Sequence, residues 1–101
     1  MQNLTIWKNC TADVLYYDET PAYIGDNGYI VRLLDDAIEI AYDDDEGAVC
    51  SRGKNSGDGH FDLAAPERNG KASLHFFPNS HFMEGYWQEG NARGMWRIYL
   101  R

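Results

Sequence analysis

Residues 82–101 read FMEGYWQEGNARGMWRIYLR, in which aromatic or aliphatic side chains alternate with polar ones on both sides of a centre rich in Gly and Asn. Side chains of a β-strand point to opposite faces with a period of two, so the alternation indicates two strands. The Gly and Asn residues between them suit a tight turn. The stretch therefore predicts a β-hairpin with bulky aromatic residues on its buried face.

Within this hairpin, residues 83–94 resemble one unit of the MORN repeat, in which aromatic residues and glycines recur at fixed offsets. Gly85, Trp87, Gly90 and Gly94 stand at matching places, and Met83 stands where the pattern has its leading tyrosine. MORN proteins stack several units, whereas this sequence holds one copy. The resemblance implies hairpin geometry, and no function follows from it.

Short segments typical of strands recur along the rest of the chain, separated by residues that favour turns. The predicted strands are residues 4–7, 13–17, 23–24, 48–52, 60–64, 71–77, 82–88 and 95–100. Residues 25–28, Gly-Asp-Asn-Gly, predict a turn. Together these features predict a single all-β domain over residues 1–101, a small antiparallel barrel or strongly curled meander of about eight short strands.

Residues 29–42 fit two structures. A helix would place apolar residues on one face at spacings of three and four, which gives the alternative of an α+β fold with one helix at 29–42. A hairpin would alternate Tyr29, Val31 and Leu33, and then Ile38, Ile40 and Tyr42. The acidic run after Tyr42 opposes a helix dipole, and the β-branched content favours strands. The sequence therefore predicts two strands that meet at residues 35–36.

The predicted core consists of large side chains on the inner faces of these strands. The core residues are Trp7, Phe76, Trp87, Trp96, Ile98 and Leu100.

Composition and the N-terminal sequence limit the cellular locations that are expected for this protein. The sequence has no run of about 18 apolar residues, so no membrane span is expected. Its N-terminus lacks the basic start and apolar stretch of a secretory signal, and Cys10 and Cys50 form no metal or redox motif. We therefore expect a cytoplasmic protein with reduced thiols.

The charge is concentrated in one region. The net charge is −7, and the segment from Asp13 to Glu46 holds eleven acidic residues and one base, Arg32, a balance of −10. Contact with a nucleic-acid backbone needs clustered Lys and Arg, so nucleic-acid binding is not expected. An acidic surface attracts basic partners or keeps a protein soluble.

Four acidic residues, Asp43, Asp44, Asp45 and Glu46, crowd into one predicted turn. Their mutual repulsion costs stability unless they are solvated or meet a cation, and the nearest bases in the sequence are Arg32 and Arg52. These four residues are the predicted contact site for a basic protein partner. They do not follow the ligand spacing of an EF-hand calcium loop.

The segment containing Asp58, His60 and Asp62 places two carboxylates and an imidazole at alternate positions, which could begin a metal site if His75 or His81 joined it. The simpler interpretation is the solvent-facing side of a strand, and no metal or other cofactor is predicted.

Among the catalytic motifs, a nucleophile elbow, a phosphate-binding loop and a zinc-protease motif are all missing from the sequence. The leading hypothesis is a non-enzymatic, acidic protein-binding module of the inhibitor, immunity or adaptor type. The alternative is a small barrel that binds an apolar ligand in its interior, which a large cavity would favour and a filled interior would not. A weaker alternative is a hydrolase or isomerase that uses His60, His75 and His81.

Overall fold

The computed structural model describes residues 4–101. Residues 1–3, the start of the N-terminus in which no secretory signal is predicted, lie outside the described part. Eight strands follow one another along the chain: β1 (Leu4–Tyr16), β2 (Tyr23–Leu34), β3 (Ala37–Asp44), β4 (Gly47–Asn55), β5 (His60–Ala65), β6 (Gly70–Phe76), β7 (Phe82–Glu89) and β8 (Ala92–Tyr99). Each strand pairs antiparallel with the next, and β8 pairs with β1 to close a barrel. The predicted all-β class and the barrel are confirmed.

Residues 29–42 form the predicted hairpin. β2 ends at Leu34 and β3 begins at Ala37, and these two residues pair across the turn. Val31 and Ile40 are fully buried and pair with each other. A helix would have left both on its exposed side, so the helical alternative is wrong. Inward-facing residues recur at every second position within each of the two strands, which is the period of a strand.

The N-terminal hairpin differs from the prediction in two ways. Residues 4–7 and 13–17 belong mainly to one long strand, β1, and residues 25–28 lie inside β2 and do not form a turn. The register of β1 and β2 shifts on either side of Asp26, so that β2 holds one extra residue in each interval. Gly25 and Gly28 lie in these intervals with φ of 69° and 84°. The glycines therefore form β-bulges, which keep the pairing while bending the strand.

The core fills the middle of the barrel. Trp96, Ile98 and Leu100 are buried as predicted, whereas Trp7, Phe76 and Trp87 are half-buried and pack against the core from its two ends. The most deeply buried large side chains are Ile40, Leu74, Met83, Ile98 and Val31. The prediction overstated the burial of these three aromatic side chains, because large rings can cover the ends of a barrel core without being enclosed in it.

The two ends of the barrel differ. The connections formed by residues 17–22, 45–46, 66–69 and 90–91 lie at one end, which we call the mouth. The connections formed by residues 35–36, 56–59 and 77–81 lie at the other. No helix within residues 4–101 is long and apolar enough to cross a membrane.

Candidate functional site at the mouth of the barrel

A half-open cavity of about 550 Å³ occupies the mouth end of the barrel. The volume falls within the range of roughly 300–1,000 Å³ that is usual for small-molecule sites. Trp96 lies among its lining residues and is 5% exposed, so it separates the cavity from the filled core. The barrel interior is therefore filled in its middle and open at one end.

The space exists because small side chains face inward at this level of the barrel. Ser51, Ala65, Gly70 and Ala72 line the cavity from β4, β5 and β6. The larger residues Phe61, Leu63 and Leu74 occupy the same strands further from the mouth and are buried. The change from large to small side chains along these strands leaves room for a guest.

Aromatic rings form two walls of the cavity. Tyr16 and Trp87 meet edge to face with centroids 5.0 Å apart, and Tyr23 lies 6.5 Å from Tyr16. On another wall, Tyr29 stacks on Tyr42 at 4.7 Å. The Nε1 of Trp87 donates a hydrogen bond to the carbonyl of Met95, which holds the indole in place. These walls offer flat apolar surfaces with fixed orientation.

The predicted acidic turn lies at the rim of this cavity. All four residues, Asp43, Asp44, Asp45 and Glu46, line it, and all four are exposed. The structure thus brings the predicted partner-binding residues together with the aromatic walls.

The cation that meets this turn is Arg68, from the loop between β5 and β6. Its guanidinium donates to both carboxylate oxygens of Asp44 at 2.8 and 2.9 Å and to Glu46 at 2.8 Å. The Arg68 side chain is only 10% exposed. Arg32 and Arg52, the nearest bases in the sequence, both bind Glu39 on the barrel wall. Two of the four acidic residues are therefore neutralised by a bidentate fork that ties two mouth loops together.

Glu89 also lines the cavity, and its surroundings differ from those of Asp44 and Glu46, which bind Arg68. Within residues 4–101, its carboxylate accepts no hydrogen bond and forms no ion pair. Burial and the charges of Asp44 and Glu46 raise the pKa of Glu89, and the nearby Arg68 only partly offsets them. The mouth thus contains a half-buried carboxylate whose negative charge is not neutralised by a direct partner.

The same environment raises the pKa values of two tyrosines at the mouth. Burial, followed by the charges of Glu89 and Asp44, raises the pKa of Tyr42 to about 12. Burial, with a smaller contribution from Asp26, raises the pKa of Tyr29 above its usual value. Both phenols therefore stay neutral well above the physiological range.

We expect alkaline pH to destabilise the protein through Tyr42. The folded-state pKa lies above the unfolded value of about 10, so its stabilisation is complete below pH 10 and is lost as pH rises through 12. The loss from this group amounts to about 3 kcal/mol. Urea unfolding of Tyr42→Phe should show a smaller decrease in stability across this range than the wild type. Tyr17→Phe, at an exposed tyrosine, is the control and should behave like the wild type. Equal decreases in Tyr42→Phe and wild type would contradict the expectation.

The histidines lie away from the mouth, and none of them lines its cavity. His60 Nδ1 is 2.6 Å from His75 Nε2, and His60 Nε2 is 3.0 Å from Asp62 Oδ1. When the Asp62 carboxylate accepts a hydrogen bond from His60 Nε2–H, the other ring nitrogen of a neutral His60, Nδ1, accepts a hydrogen bond from His75 Nε2–H. The structure thus joins His60 to His75 and Asp62, while Asp58 and His81 are exposed and do not join them.

Within residues 4–101, these residues do not assemble a metal centre. Within the described part of the chain, no three His, Cys, Asp or Glu side chains form a group that could hold a metal ion. The histidine pair lies on the outer side of β5 and β6, beside inward-facing Phe61 and Leu74.

Sequence reasoning predicted the acidic turn but not the other residues of the mouth, among them Tyr16, Tyr42, Arg68 and Glu89. Tyr42 continues the inward-facing row of Ile38 and Ile40 that the alternation had identified, so the signal for it was present, whereas Tyr16 was placed in a predicted strand without a face. Arg68 is 24 residues from Asp44 and 22 from Glu46, and Glu89 lies beyond the predicted end of its strand. No local pattern indicated that these two would meet the acidic turn.

Comparison of the chain with family models, curated proteins and solved structures finds no match. The geometry of the mouth is therefore the basis for inferring a function.

Proposed function

We propose that the protein is a non-enzymatic binding protein that takes a small molecule with an apolar or aromatic body into the mouth of its barrel. The cavity of about 550 Å³, closed below by Trp96 and walled by aromatic rings, is the observation that carries this proposal. It favours the ligand-binding alternative over a filled barrel. The site is more polar than an apolar interior cavity, because its rim is charged.

The residues at the mouth support binding without chemistry. Imidazole is the commonest general base near neutral pH, and His60, His75 and His81 all lie outside the cavity. The pKa values of Tyr29 and Tyr42 are raised, not lowered, so neither phenol is activated as a base near neutral pH.

A substitution that fills the cavity tests the proposal. Ala72→Phe adds a ring at an inward-facing position of β6 that lines the cavity, whereas Ala64→Phe adds the same ring at an exposed position of β5. Ligand-observed NMR with a library of small aromatic fragments should find binders for the wild type and Ala64→Phe. The same fragments should lose binding to Ala72→Phe.

Chemical shifts of the wild type keep this test decisive if Ala72→Phe unfolds. Fragments bound at the mouth should shift the indole NH signals of Trp87 and Trp96. Fragments that bind without shifting these signals, or a library without binders, would refute the proposal.

A second candidate is the contact of the acidic turn with a basic protein partner. Asp43 and Asp45 favour it, since both are exposed at the rim and neither forms an ion pair within residues 4–101.

We also propose a cytoplasmic location without nucleic-acid binding, which the free thiols of Cys10 and Cys50 and the net charge of −7 support.

The double variant Asp43→Asn/Asp45→Asn tests this second candidate, because it leaves the Arg68 pairs intact. Its association rate with a decalysine peptide should fall more than that of Asp36→Asn/Asp58→Asn, which has the same net charge and changes the opposite end. Equal rates for the two double variants would show that the acidic turn does not bind the basic partner and serves only to keep the protein soluble.

A further inference from the structure

The charge of the cavity lining is strongly unbalanced. Two bases line the cavity, Arg68 and Lys71, against six acidic residues: Asp26, Asp43, Asp44, Asp45, Glu46 and Glu89. Arg68 is already bound by Asp44 and Glu46. An anionic ligand that bound Arg68 would have to displace one of these carboxylates and face the others, and Lys71 is exposed to water. The lining therefore complements a positive charge.

Glu89 is the carboxylate best placed to receive that charge. It is half-buried, whereas Asp43 and Asp45 at the rim are exposed to water. It stands two residues after Trp87 on β7, so its side chain lies on the same inward face as that ring and nearer the mouth, and its charge acts on Tyr16 and Tyr42. A cation at this position would give Glu89 the direct partner that it lacks within the described chain.

The rings add a second attraction for a cation. The faces of Trp and Tyr rings carry negative electrostatic potential, and a cation within about 6 Å of a ring centroid is attracted to it. Trp87 and Tyr16 form one wall near Glu89, and Tyr42 belongs to the other. Aromatic faces together with a half-buried carboxylate are the elements of sites that bind ammonium groups.

We propose that the ligand of the mouth is an organic cation, an ammonium group attached to an apolar or aromatic body. The ammonium group would lie against Glu89 and the faces of Trp87 and Tyr16, and the body would extend towards Trp96. This inference rests on the proposed function and specifies its ligand class.

Three probes of similar size and different charge test the ligand class. They are phenethylammonium, 2-phenylethanol and 3-phenylpropionate, titrated into the protein at neutral pH and followed by NMR. Phenethylammonium should bind about tenfold more tightly than 2-phenylethanol, and 3-phenylpropionate should bind most weakly.

Two variants on β7 then identify the carboxylate responsible. Glu89→Gln should bring the affinity for phenethylammonium to within about threefold of that for 2-phenylethanol, while the affinity for 2-phenylethanol stays unchanged. Glu84→Gln, on the same strand, removes the same charge from a residue that binds Arg97. This control should retain the preference for the cation. Glu89→Gln should remain folded, because neutralising a half-buried carboxylate with a raised pKa removes a cost at neutral pH.

The outcomes separate this inference from the proposed function. If fragments bind at the mouth but phenethylammonium binds no better than 2-phenylethanol, the ligand class is wrong and the proposed function stands. An equal loss of cation preference in Glu84→Gln and Glu89→Gln also overturns the inference, since net charge alone would explain it. If neither the probes nor any fragment binds at the mouth, both proposals fail.

Discussion

Replacing Trp96 by alanine is expected to lower the free energy of unfolding by about 3–5 kcal/mol. The side chain is 5% exposed, and its Nε1 donates to the carbonyl of Ser73 at 3.3 Å. The indole forms the boundary between the filled core and the cavity. Its removal would join the new void to the cavity and leave apolar contacts unmade, and the rigid barrel wall limits collapse around the gap.

The neighbouring Met95 provides the matched control. It is 38% exposed and points to the outer face of β8, so Met95→Ala should cost less than about 1 kcal/mol. Urea unfolding monitored by circular dichroism measures both variants. A cost for Trp96→Ala similar to that of Met95→Ala would show that Trp96 contributes little to the core.

Replacing Gly94 by alanine should be the second severe change, with a cost of about 3 kcal/mol, at the upper end of the range for overpacking. A Cβ built at Gly94 would overlap the backbone carbonyl of Leu15 on β1. This atom belongs to the strand that closes the barrel, and β1 can make room only by moving its backbone. The substitution therefore opposes barrel closure.

Gly94 also determines the geometry of the mouth. It pairs with Tyr16 on one side and Trp87 on the other, and the rings of these two residues meet edge to face. The absence of a side chain on β8 leaves space for that contact. Gly94→Ala should thus weaken ligand binding as well as stability.

Gly70→Ala is the control for the effect on stability. Its Cβ would lie 3.4 Å from the Cβ of Ala65 and 3.5 Å from that residue's carbonyl oxygen, which small adjustments accommodate. Unfolding midpoints should change little in Gly70→Ala and markedly in Gly94→Ala. Similar midpoints for the two variants would mean that β1 and β8 are not as close as the structure places them.

The stability of the mouth and its use for binding place opposite demands on its residues. The raised pKa of Glu89 means that its charge costs stability at neutral pH, and this cost disappears below its ordinary pKa. Ala72 and Ser51 leave a volume that larger residues could fill. A mouth optimised only for stability would have a neutral residue at position 89 and a filled interior.

The sequence by itself determined the all-β class and most of the strands. Alternation with a period of two identified the hairpin at residues 29–42 and the inward row Trp96, Ile98 and Leu100, because side-chain direction in a strand depends only on the local backbone. The same local reasoning failed at residues 25–28. Glycines with positive φ serve both turns and bulges, and the partner strand decides which of them forms.

Tertiary structure alone decided which residues join the acidic turn in the site. The cavity is what remains when inward side chains from several strands meet at one level of a closed barrel, so its volume depends on register and closure together. Arg68 meets Asp44 and Glu46 because β3, β4, β5 and β6 are adjacent and their connections lie at the same end. These contacts depend on the spatial arrangement of separate strands, and the periodicity of a single strand does not encode it.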